Sequence, residues 1–271
     1  MFPIKDNIPL SRVPLVTIAL VAVILIAYLL AILHGGGLID GPSKGTAVHY
    51  AAIPDELTHP GHHCDIAANG SERLSKSFVT CQPAAGIGIG RPESQPATWT
   101  TVFTSMFLHG SFLALFFNLL FLVLFGPSVE NAVGRGRFLC LYLAGGLVAL
   151  ALLVAVGPGS FRPVLGSTGA IAAVLGAYLL LHPRARVITL VLVPLFATIV
   201  EIPALILLAL WLPLQLWLGL SGLADPVSGS EWVVFATQLA GFPLGLATVW
   251  AIGRRRDTGP PSARPLSAIV A

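Results

Sequence analysis

Two hydroxyl side chains lie between two glycines near the start of an apolar segment, in the sequence Gly166-Ser167-Thr168-Gly169. A serine or threonine hydroxyl can attack a carbonyl group, but it is a weak nucleophile unless an adjacent base removes its proton. Threonine also carries an extra methyl group, which would crowd a turn built from glycines. Ser167 and Thr168 are therefore candidate nucleophiles, and their chemistry depends on whether a base accompanies them.

Two further polar residues, His109 and Asn118, lie in an apolar stretch upstream. Such side chains are costly inside a membrane unless they have partners or line a wet cavity, so both are functional candidates. The alternatives are a histidine at a helix end bonded to backbone and an asparagine in an interhelical hydrogen bond of ~1 kcal/mol. On one ideal helix their spacing of about two and a half turns puts them on opposite sides. His109 and Asn118 therefore need not belong to the same small site.

Small residues in two apolar segments predict that these segments pack against each other. The spacing of Gly241 and Gly245 lets another helix backbone approach closely. A similar small face is formed by Gly166, Gly169, Ala170 and Ala173. Packing of the two faces would bring Gln238 near Ser167 and Thr168.

The elements that position these residues must cross a membrane. The chain of 271 residues is 55% hydrophobic and only 10% charged, whereas soluble domains average about 25% charged residues. Stretches long enough to span ~30 Å of hydrocarbon occur at 13–34, 101–125, 138–156, 164–181, 203–220 and 232–252. The apolar stretch 187–200 is shorter, and we expect an interfacial or half-buried piece there. The first span is too long for a cleavable signal peptide, and nothing indicates a nucleic-acid module.

Basic residues predict the orientation of these six spans. With a cytoplasmic N-terminus, the following residues all fall inside: Lys5, Arg12, Arg135, Arg137, Arg184, Arg186, Arg254, Arg255, Arg256 and Arg264. The short outer loops then carry only Arg162, and the remaining basic residues lie in one long outer loop, which largely escapes the positive-inside rule. Both termini are therefore expected in the cytoplasm.

The chain divides into four parts on this basis. They are a cytoplasmic N-terminus with the first transmembrane helix (1–34), a long extracytoplasmic loop (35–99), a core of five transmembrane helices (100–253) and a basic, disordered cytoplasmic tail (254–271). The long loop holds Cys64 and Cys81, which would pair in an oxidising exterior if their Cα atoms come within ~7 Å. The third cysteine, Cys140, lies inside a span.

The long loop is also rich in histidine. His59, His62, His63 and Cys64 lie close together and precede Asp65, and imidazole and thiolate are ligands that suit zinc or copper. Structural zinc usually draws its ligands from two spaced pairs, and no second pair is obvious. We therefore favour a polar, histidine-rich loop and expect neither a metal nor another cofactor.

Taken together, these motifs resemble the rhomboids, a family of six-span intramembrane serine endopeptidases. The resemblance covers about 99–252 and rests on the following segments and residues: 107–111, Asn118, Glu130, 134–138, 166–171, 176–178, 202–203, Trp211, Gln215, Gly241 and Gly245. It implies an all-α polytopic membrane protein, a six-transmembrane-helix rhomboid-like bundle with both termini cytoplasmic. It also implies a multi-pass protein of the plasma membrane.

In that family the nucleophile is the serine of a Gly-x-Ser-Gly motif, and the base is a histidine three residues before the first glycine of the last span. By this resemblance the serine position holds Thr168 and the base position holds Gln238. The family's oxyanion is bound by a histidine and an asparagine on the second span, which correspond here to Ala114 and Asn118. His109, Gly166, Gly169, Gly241 and Gly245 correspond to structural residues.

These substitutions predict a rhomboid-like protein with an impaired catalytic centre, because an amide such as Gln238 cannot act as a base near neutral pH. Such a pseudoprotease would bind client transmembrane helices in the lipid bilayer, beside the fifth span. The alternative is an active endopeptidase that uses Thr168 or Ser167 with water held by Gln238 and Asn118. A small-solute transporter is disfavoured, because Glu201 is the only intramembrane charge on a plausible path and no inverted repeat is visible. No partner beyond the client helices and the bilayer is implied, and the oligomeric state does not follow from the sequence.

Overall fold

The computed structural model describes residues 2–67, 78–83, 96–193, 196–210 and 230–252. The chain is mostly helical in these ranges. The helices are α1 (Leu15–Leu33), α2 (Lys44–Tyr50), α3 (Pro54–Thr58), α4 (Thr98–Thr104), α5 (Phe112–Val133), α6 (Arg135–Val156), α7 (Thr168–Leu181), α8 (204–210) and α9 (Ser230–Ile252).

Two small antiparallel sheets correct the all-α prediction. The strands are β1 (Phe2–Asp6), β2 (His62–Ala67), β3 (Phe78–Pro83), β4 (Arg186–Val193) and β5 (Phe196–Pro203). One sheet has the order β1-β4-β5, and the other pairs β2 with β3. The apolar stretch 187–200, predicted as an interfacial piece, is thus a hairpin. Its many β-branched residues favour a strand over a helix, and Pro194 lies in its middle.

Three described helices are long and apolar enough to cross a membrane, namely Leu15–Leu33, Phe112–Val133 and Arg135–Val156. Thr168–Leu181 and Ala236–Ile252 are shorter apolar helices. The six-span count and the division of the chain into four parts remain predictions, because much of the fifth predicted span, 211–220, and the tail after 252 lie outside the described residues.

The second predicted span is not one continuous helix. α4 ends at Thr104, and α5 begins only at Phe112. Ser111 stops the helix from extending backwards because its backbone is extended and its Oγ accepts a hydrogen bond from Ala114 N at 3.2 Å, which is the usual arrangement of an N-cap. His109 therefore lies in the connecting segment 105–111, and its predicted placement on one helix with Asn118 is wrong.

α7 lies at the centre of the bundle, and it packs most extensively against α9. A Cβ atom at Gly241 would overlap the carbonyl of Gly169, and one at Gly245 would overlap the carbonyl of Ala173. A Cβ atom at Gly176 would likewise overlap the carbonyl of Phe242 on α9. The small faces predicted from the sequence therefore meet backbone to backbone.

The first helix is tied to α5 through one buried carboxylate. Pro14 precedes α1 and offers no side-chain cap. Glu130, which is 3% exposed, accepts hydrogen bonds from Val16 N at 3.0 Å and from both Thr17 N and Thr17 Oγ1 at 2.7 Å. Arg135 Nε lies 4.0 Å from Glu130 Oε1, so the acid also forms an ion pair. A negative charge at a helix N-terminus is stabilising.

The described part of the long loop is more regular than its composition suggests. It forms α2, α3 and the β2-β3 hairpin, in which Cys64 and Cys81 are joined by a disulfide. Its backbone bonds to the segment that precedes α7, through Val164 N to Ala52 O at 2.8 Å and Asp55 N to Ser160 O at 3.2 Å. The loop therefore packs directly on the chain that leads into Ser167 and Thr168.

Candidate functional site

The turn before α7 presents two hydroxyls in different directions. Gly166 has φ +115, a conformation that side chains rarely adopt, and its N–H donates to Ser105 O at 2.9 Å. Ser167 occupies the N-cap position, but its side chain makes no capping hydrogen bond. Its Oγ is therefore available to a residue outside the helix, while Thr168 begins the helix itself.

Ser167 pairs with His109. His109 Nε2 lies 3.2 Å from Ser167 Oγ, and both residues are fully buried. His109 Nδ1 lies 3.3 Å from the carbonyl oxygen of Phe107. Since a carbonyl can only accept, Nδ1 carries the proton, and in the neutral ring Nε2 accepts from the Ser167 hydroxyl. His109 is thus within hydrogen-bond distance of Ser167.

The Ser167 hydroxyl also lies near another polar side chain. The phenol of Tyr142, fully buried in α6, approaches Ser167. Within the described part of the chain its oxygen nevertheless forms no hydrogen bond of acceptable geometry. Ser167 therefore lies between an imidazole and a phenol, and its side chain is fully buried.

Thr168 has a different partner. Asn118 Nδ2 donates to Thr168 Oγ1 at 3.4 Å, a long hydrogen bond, and Thr168 is only partly buried. His109 and Asn118 thus reach adjacent residues of the same turn, which the helical-wheel argument did not anticipate. An amide N–H cannot accept a proton, so this contact can orient the threonine hydroxyl without activating it.

Gln238, which the resemblance assigns to the base position, makes no described contact of use to a nucleophile. It is 3% exposed, and its Oε1 has no hydrogen-bond partner among the residues that the structure describes. The backbone is nevertheless where the small faces predict, because the carbonyl of neighbouring Thr237 lies 3.3 Å from the Cβ position of Gly169. α9 therefore packs against α7 as closely as the small residues predict, and the Gln238 side chain forms no described hydrogen bond to Ser167 or Thr168.

Ala114 is the residue that the resemblance assigns to the second oxyanion donor. It lies one turn before Asn118 in α5, it is exposed, and its side chain is a methyl group. No hydrogen-bond donor comes from this position to join Asn118. The arrangement can hold two hydroxyls in fixed directions, but it offers an imidazole only to Ser167, which is buried.

Sequence reasoning missed the pairing of His109 with Ser167. The signal that could have found it is Ser111, an N-cap residue followed directly by an apolar run. A helix that starts after Ser111 leaves His109 on a turn, where its side chain can approach the start of α7.

The sequence of this chain is similar to a known protein family and to several of its members. A rhomboid domain matches residues 96–255. The chain is 38% identical over 81 residues to rhomboid protease GluP of Bacillus subtilis, covering 30% of this chain and 15% of that protein. It is 33% identical over 98 residues to presenilin-associated rhomboid-like protein A, mitochondrial, of Danio rerio (34% of this chain, 26% of that protein).

Rhomboid protein 1, mitochondrial, of Saccharomyces cerevisiae is 28% identical over 159 residues, covering 55% of this chain and 35% of that protein. The matched regions thus span well under half the length of these relatives. The match to the rhomboid domain covers more than half of this chain, from just before α4 to just past α9. The chain is therefore a membrane protein that belongs to the rhomboid family.

Proposed function

We propose that this protein is a pseudoprotease of the rhomboid family, which binds client transmembrane helices but does not use the Thr168 hydroxyl to cleave them. The observation that carries the proposal is the surroundings of the Thr168 hydroxyl. Its described hydrogen-bond partner is the amide of Asn118, and the Gln238 Oε1 at the base position has no described hydrogen bond to it. An alcohol in these surroundings keeps its proton.

The combined substitutions weigh heavily against turnover at this position. Loss of one oxyanion-hole donor typically lowers kcat by about 10²–10³-fold, which is the effect expected of the methyl side chain of Ala114. Loss of a catalytic nucleophile or base costs several further orders of magnitude. The tight α7–α9 packing, in contrast, is intact. The scaffold is retained while the chemistry at Thr168 is not.

We place the client helix beside the fifth span. Its first turns form α8, where Leu205, Ile206 and Leu210 are exposed. An apolar side chain exposed on a membrane helix faces lipid or another helix. Since lipid tails are as apolar as leucine, packing and small residues decide helix association in a bilayer. The client is therefore expected to be a single transmembrane helix with small residues on one face.

The orientation and membrane belong to the same proposal. Both termini lie in the cytoplasm, and the long loop lies outside the plasma membrane. The disulfide between Cys64 and Cys81 supports this, because disulfides persist in oxidising compartments. Two relatives have "mitochondrial" in their names, so fractionation of the native cell tests this step. Recovery in a mitochondrial fraction would overturn the plasma-membrane assignment.

The experiment uses the purified full chain in lipid vesicles together with a single-pass helix of known sequence. A photoreactive residue at position 206 should cross-link the helix, and a photoreactive residue at Trp250, exposed on α9, serves as the control. We expect saturable cross-linking from position 206 and no cleavage. Cleavage that is abolished by Thr168→Ala would overturn the proposal, and equal cross-linking at both positions would overturn the location of the client.

The pair of Ser167 and His109 supports a second candidate, a serine endopeptidase with an unconventional centre. In that reaction Ser167 Oγ attacks the scissile carbonyl while His109 Nε2 takes its proton and then delivers it to the leaving amine. The distance of 3.2 Å and the proton on Nδ1 favour this reaction. The complete burial of both residues disfavours it, since neither substrate nor water reaches the hydroxyl.

A fluorophosphonate probe distinguishes the two candidates. The pseudoprotease predicts no labelling, alongside a working rhomboid protease that labels under the same conditions. Labelling that is lost in Ser167→Ala and His109→Ala but kept in Thr168→Ala would establish the second candidate. Labelling lost in Thr168→Ala alone would instead show that Thr168 is active after all.

A further inference from the structure

We propose that Asp55, His59 and His62 form a binding site for a divalent transition metal, with Zn²⁺ as the best match. The site lies in the long loop, outside the α5–α7–α9 region that carries Ser167 and Thr168. Asp55 belongs to α3, His59 directly follows that helix, and His62 begins β2. The tight turn at Gly61, with φ +90, brings the second imidazole back towards the first.

Two imidazoles converge on one carboxylate. His59 Nδ1 lies 3.1 Å from Asp55 Oδ1, and His62 Nδ1 lies 2.8 Å from Asp55 Oδ2. The two rings stack with centroids 4.9 Å apart, and the three ligand atoms all lie within 4.8 Å of one another. Ligand atoms of a tetrahedral zinc site are separated by about 3.3 Å, as bond lengths of about 2.0–2.1 Å require. Small side-chain shifts would admit the ion.

Burial gives the site a closed side and an open side. The Asp55 side chain is 6% exposed, whereas those of His62 and His59 are 28% and 49% exposed. A buried carboxylate needs a positive or hydrogen-bonding partner. The two imidazoles supply it in this structure, and a divalent ion between the three groups would do so in their place. The exposed side leaves room for water to complete the coordination.

The chemistry of the ligands selects the ion. Two imidazoles and one carboxylate suit zinc and neighbouring divalent ions better than magnesium or calcium, which prefer oxygen ligands alone. Thiolate is excluded because Cys64 is bonded to Cys81. Asp65 is engaged locally, since its carboxylate accepts from Ile66 N at 2.7 Å. His59 and His62 of the histidine-rich run are therefore ligands, and the third ligand is Asp55 rather than Cys64 or Asp65.

The sequence favoured a metal-free loop because no second ligand pair was visible near the histidines. The ligand that the sequence analysis did not include is Asp55, four residues before His59. One helical turn brings positions i and i+4 to the same face, so α3 places this carboxylate beside the histidine that follows it. The spacing Asp-x3-His-x2-His predicts the cluster only once α3 is known to be helical.

A metal here would stabilise the contact between the long loop and the segment that leads into Ser167 and Thr168. Thr58 Oγ1 donates to Pro158 O at 2.7 Å, and Asp55 N donates to Ser160 O at 3.2 Å. Pro158 and Ser160 belong to the segment that leads from α6 into Gly166 and Ser167. An ion that fixes His59 and His62 on Asp55 therefore also fixes α3 on this segment.

The test measures Zn²⁺ binding by the full chain in detergent, after chelator treatment, with a chromophoric zinc chelator as competitor. Cys140, the free cysteine within the described residues, is replaced by serine so that its thiol adds no binding. We expect one Zn²⁺ per chain. His59→Ala and His62→Ala should each weaken binding by at least about 100-fold, the upper end of what loss of a partner hydrogen-bonded to a ligand costs.

His63→Ala is the matched control, because His63 is adjacent to His62 but is not one of the converging imidazoles. It should bind Zn²⁺ like the parent chain. Asp55→Asn keeps the shape of the side chain and should also lose binding, while its circular dichroism and elution volume match the parent. The proposal is overturned if the parent binds no tighter than the His59→Ala/His62→Ala double variant, or if His63→Ala weakens binding equally.

Discussion

His109 Nε2 lies 3.2 Å from Ser167 Oγ in a fully buried pair, while the adjacent hydroxyl of Thr168 meets only the amide of Asn118 among the residues described. The imidazole thus contacts the fully buried hydroxyl, and the more accessible hydroxyl meets no base among the described residues. In the proposed pseudoprotease, this division lets the turn keep its shape while neither hydroxyl is activated for attack. It also shows which residues must change to restore that chemistry.

Restoration of the family residues should create protease activity. Thr168→Ser and Gln238→His together supply an unhindered nucleophile and a base, and the α7–α9 packing brings their chain neighbours Gly169 and Thr237 close together. Ala114→His adds an oxyanion donor, which should raise kcat by about 10²–10³-fold over the double variant. Cleavage of a fluorescent transmembrane substrate measures the rates.

Neither single variant, Thr168→Ser nor Gln238→His, should cleave above the parent. The control is the triple variant that combines Thr168→Ala with Gln238→His and Ala114→His, because it carries the base and the oxyanion donor but no nucleophile. It should be inactive. If Thr168→Ser alone were active, Gln238 would not be the defect and the proposed reason for inactivity would be wrong.

Loss of His109 should destabilise the bundle. His109→Ala leaves the Ser167 hydroxyl buried without its partner and removes buried volume, so we expect the free energy of unfolding to fall by about 2–4 kcal/mol. Ser167→Ala should cost less, because it removes a single oxygen atom. Denaturant unfolding in mixed micelles measures both.

The double variant His109→Ala/Ser167→Ala tests whether the two residues act as a pair. Residues that share a hydrogen bond give non-additive changes, so the double variant should lose less stability than the two single losses combined. Strict additivity would mean that the 3.2 Å contact contributes nothing.

The glycines of α9 should not tolerate a methyl group. Gly245→Ala places a Cβ atom on the carbonyl of Ala173, so α7 and α9 must separate and the free energy of unfolding should fall by about 1–3 kcal/mol. Gly136→Ala, in the first turn of α6, is the control because a Cβ atom there meets nothing within 4 Å. It should stabilise the helix by about 0.5–1 kcal/mol. Equal losses at both positions would contradict the packing argument.

The sequence predicts the packing of this molecule better than its turns. A close helix contact is predicted by Gly241, Gly245 and Gly169, because only small residues permit it. The structure places all three in that contact. The segment 105–111 was taken as helix because it lies inside the predicted span 101–125, and hydrophobicity alone cannot show where a span breaks. The side-chain partner of His109 therefore could not be predicted from its spacing to Asn118.

Two other differences have the same origin. The run 187–200 is apolar throughout, and short runs of this kind are ambiguous between helix and strand. Its pairing with β1, at the far end of the chain, depends on tertiary contacts. The cluster around Asp55 was missed because α3 spans only five residues, too few for a periodic signal. Contacts between distant or very short elements are thus what sequence patterns alone did not supply.

Gln238 should be replaceable by an apolar residue without loss of stability. Its Oε1 is buried without a partner in the described structure, and an unsatisfied buried polar group costs about 1–3 kcal/mol. Methionine is unbranched and of similar length and adapts to irregular packing. We therefore expect Gln238→Met to leave the free energy of unfolding unchanged or to raise it by about 1 kcal/mol, as measured by denaturant unfolding.

Gln238→Glu, which buries a carboxyl group at the same place, should destabilise the fold. Cross-linking of a client helix from position 206 should be the same in Gln238→Met as in the parent, because a helix-binding protein does not need a base here. A loss of stability in Gln238→Met as large as in Gln238→Glu would show that the amide is required, and the view of Gln238 as a residue left without a catalytic partner would then be wrong.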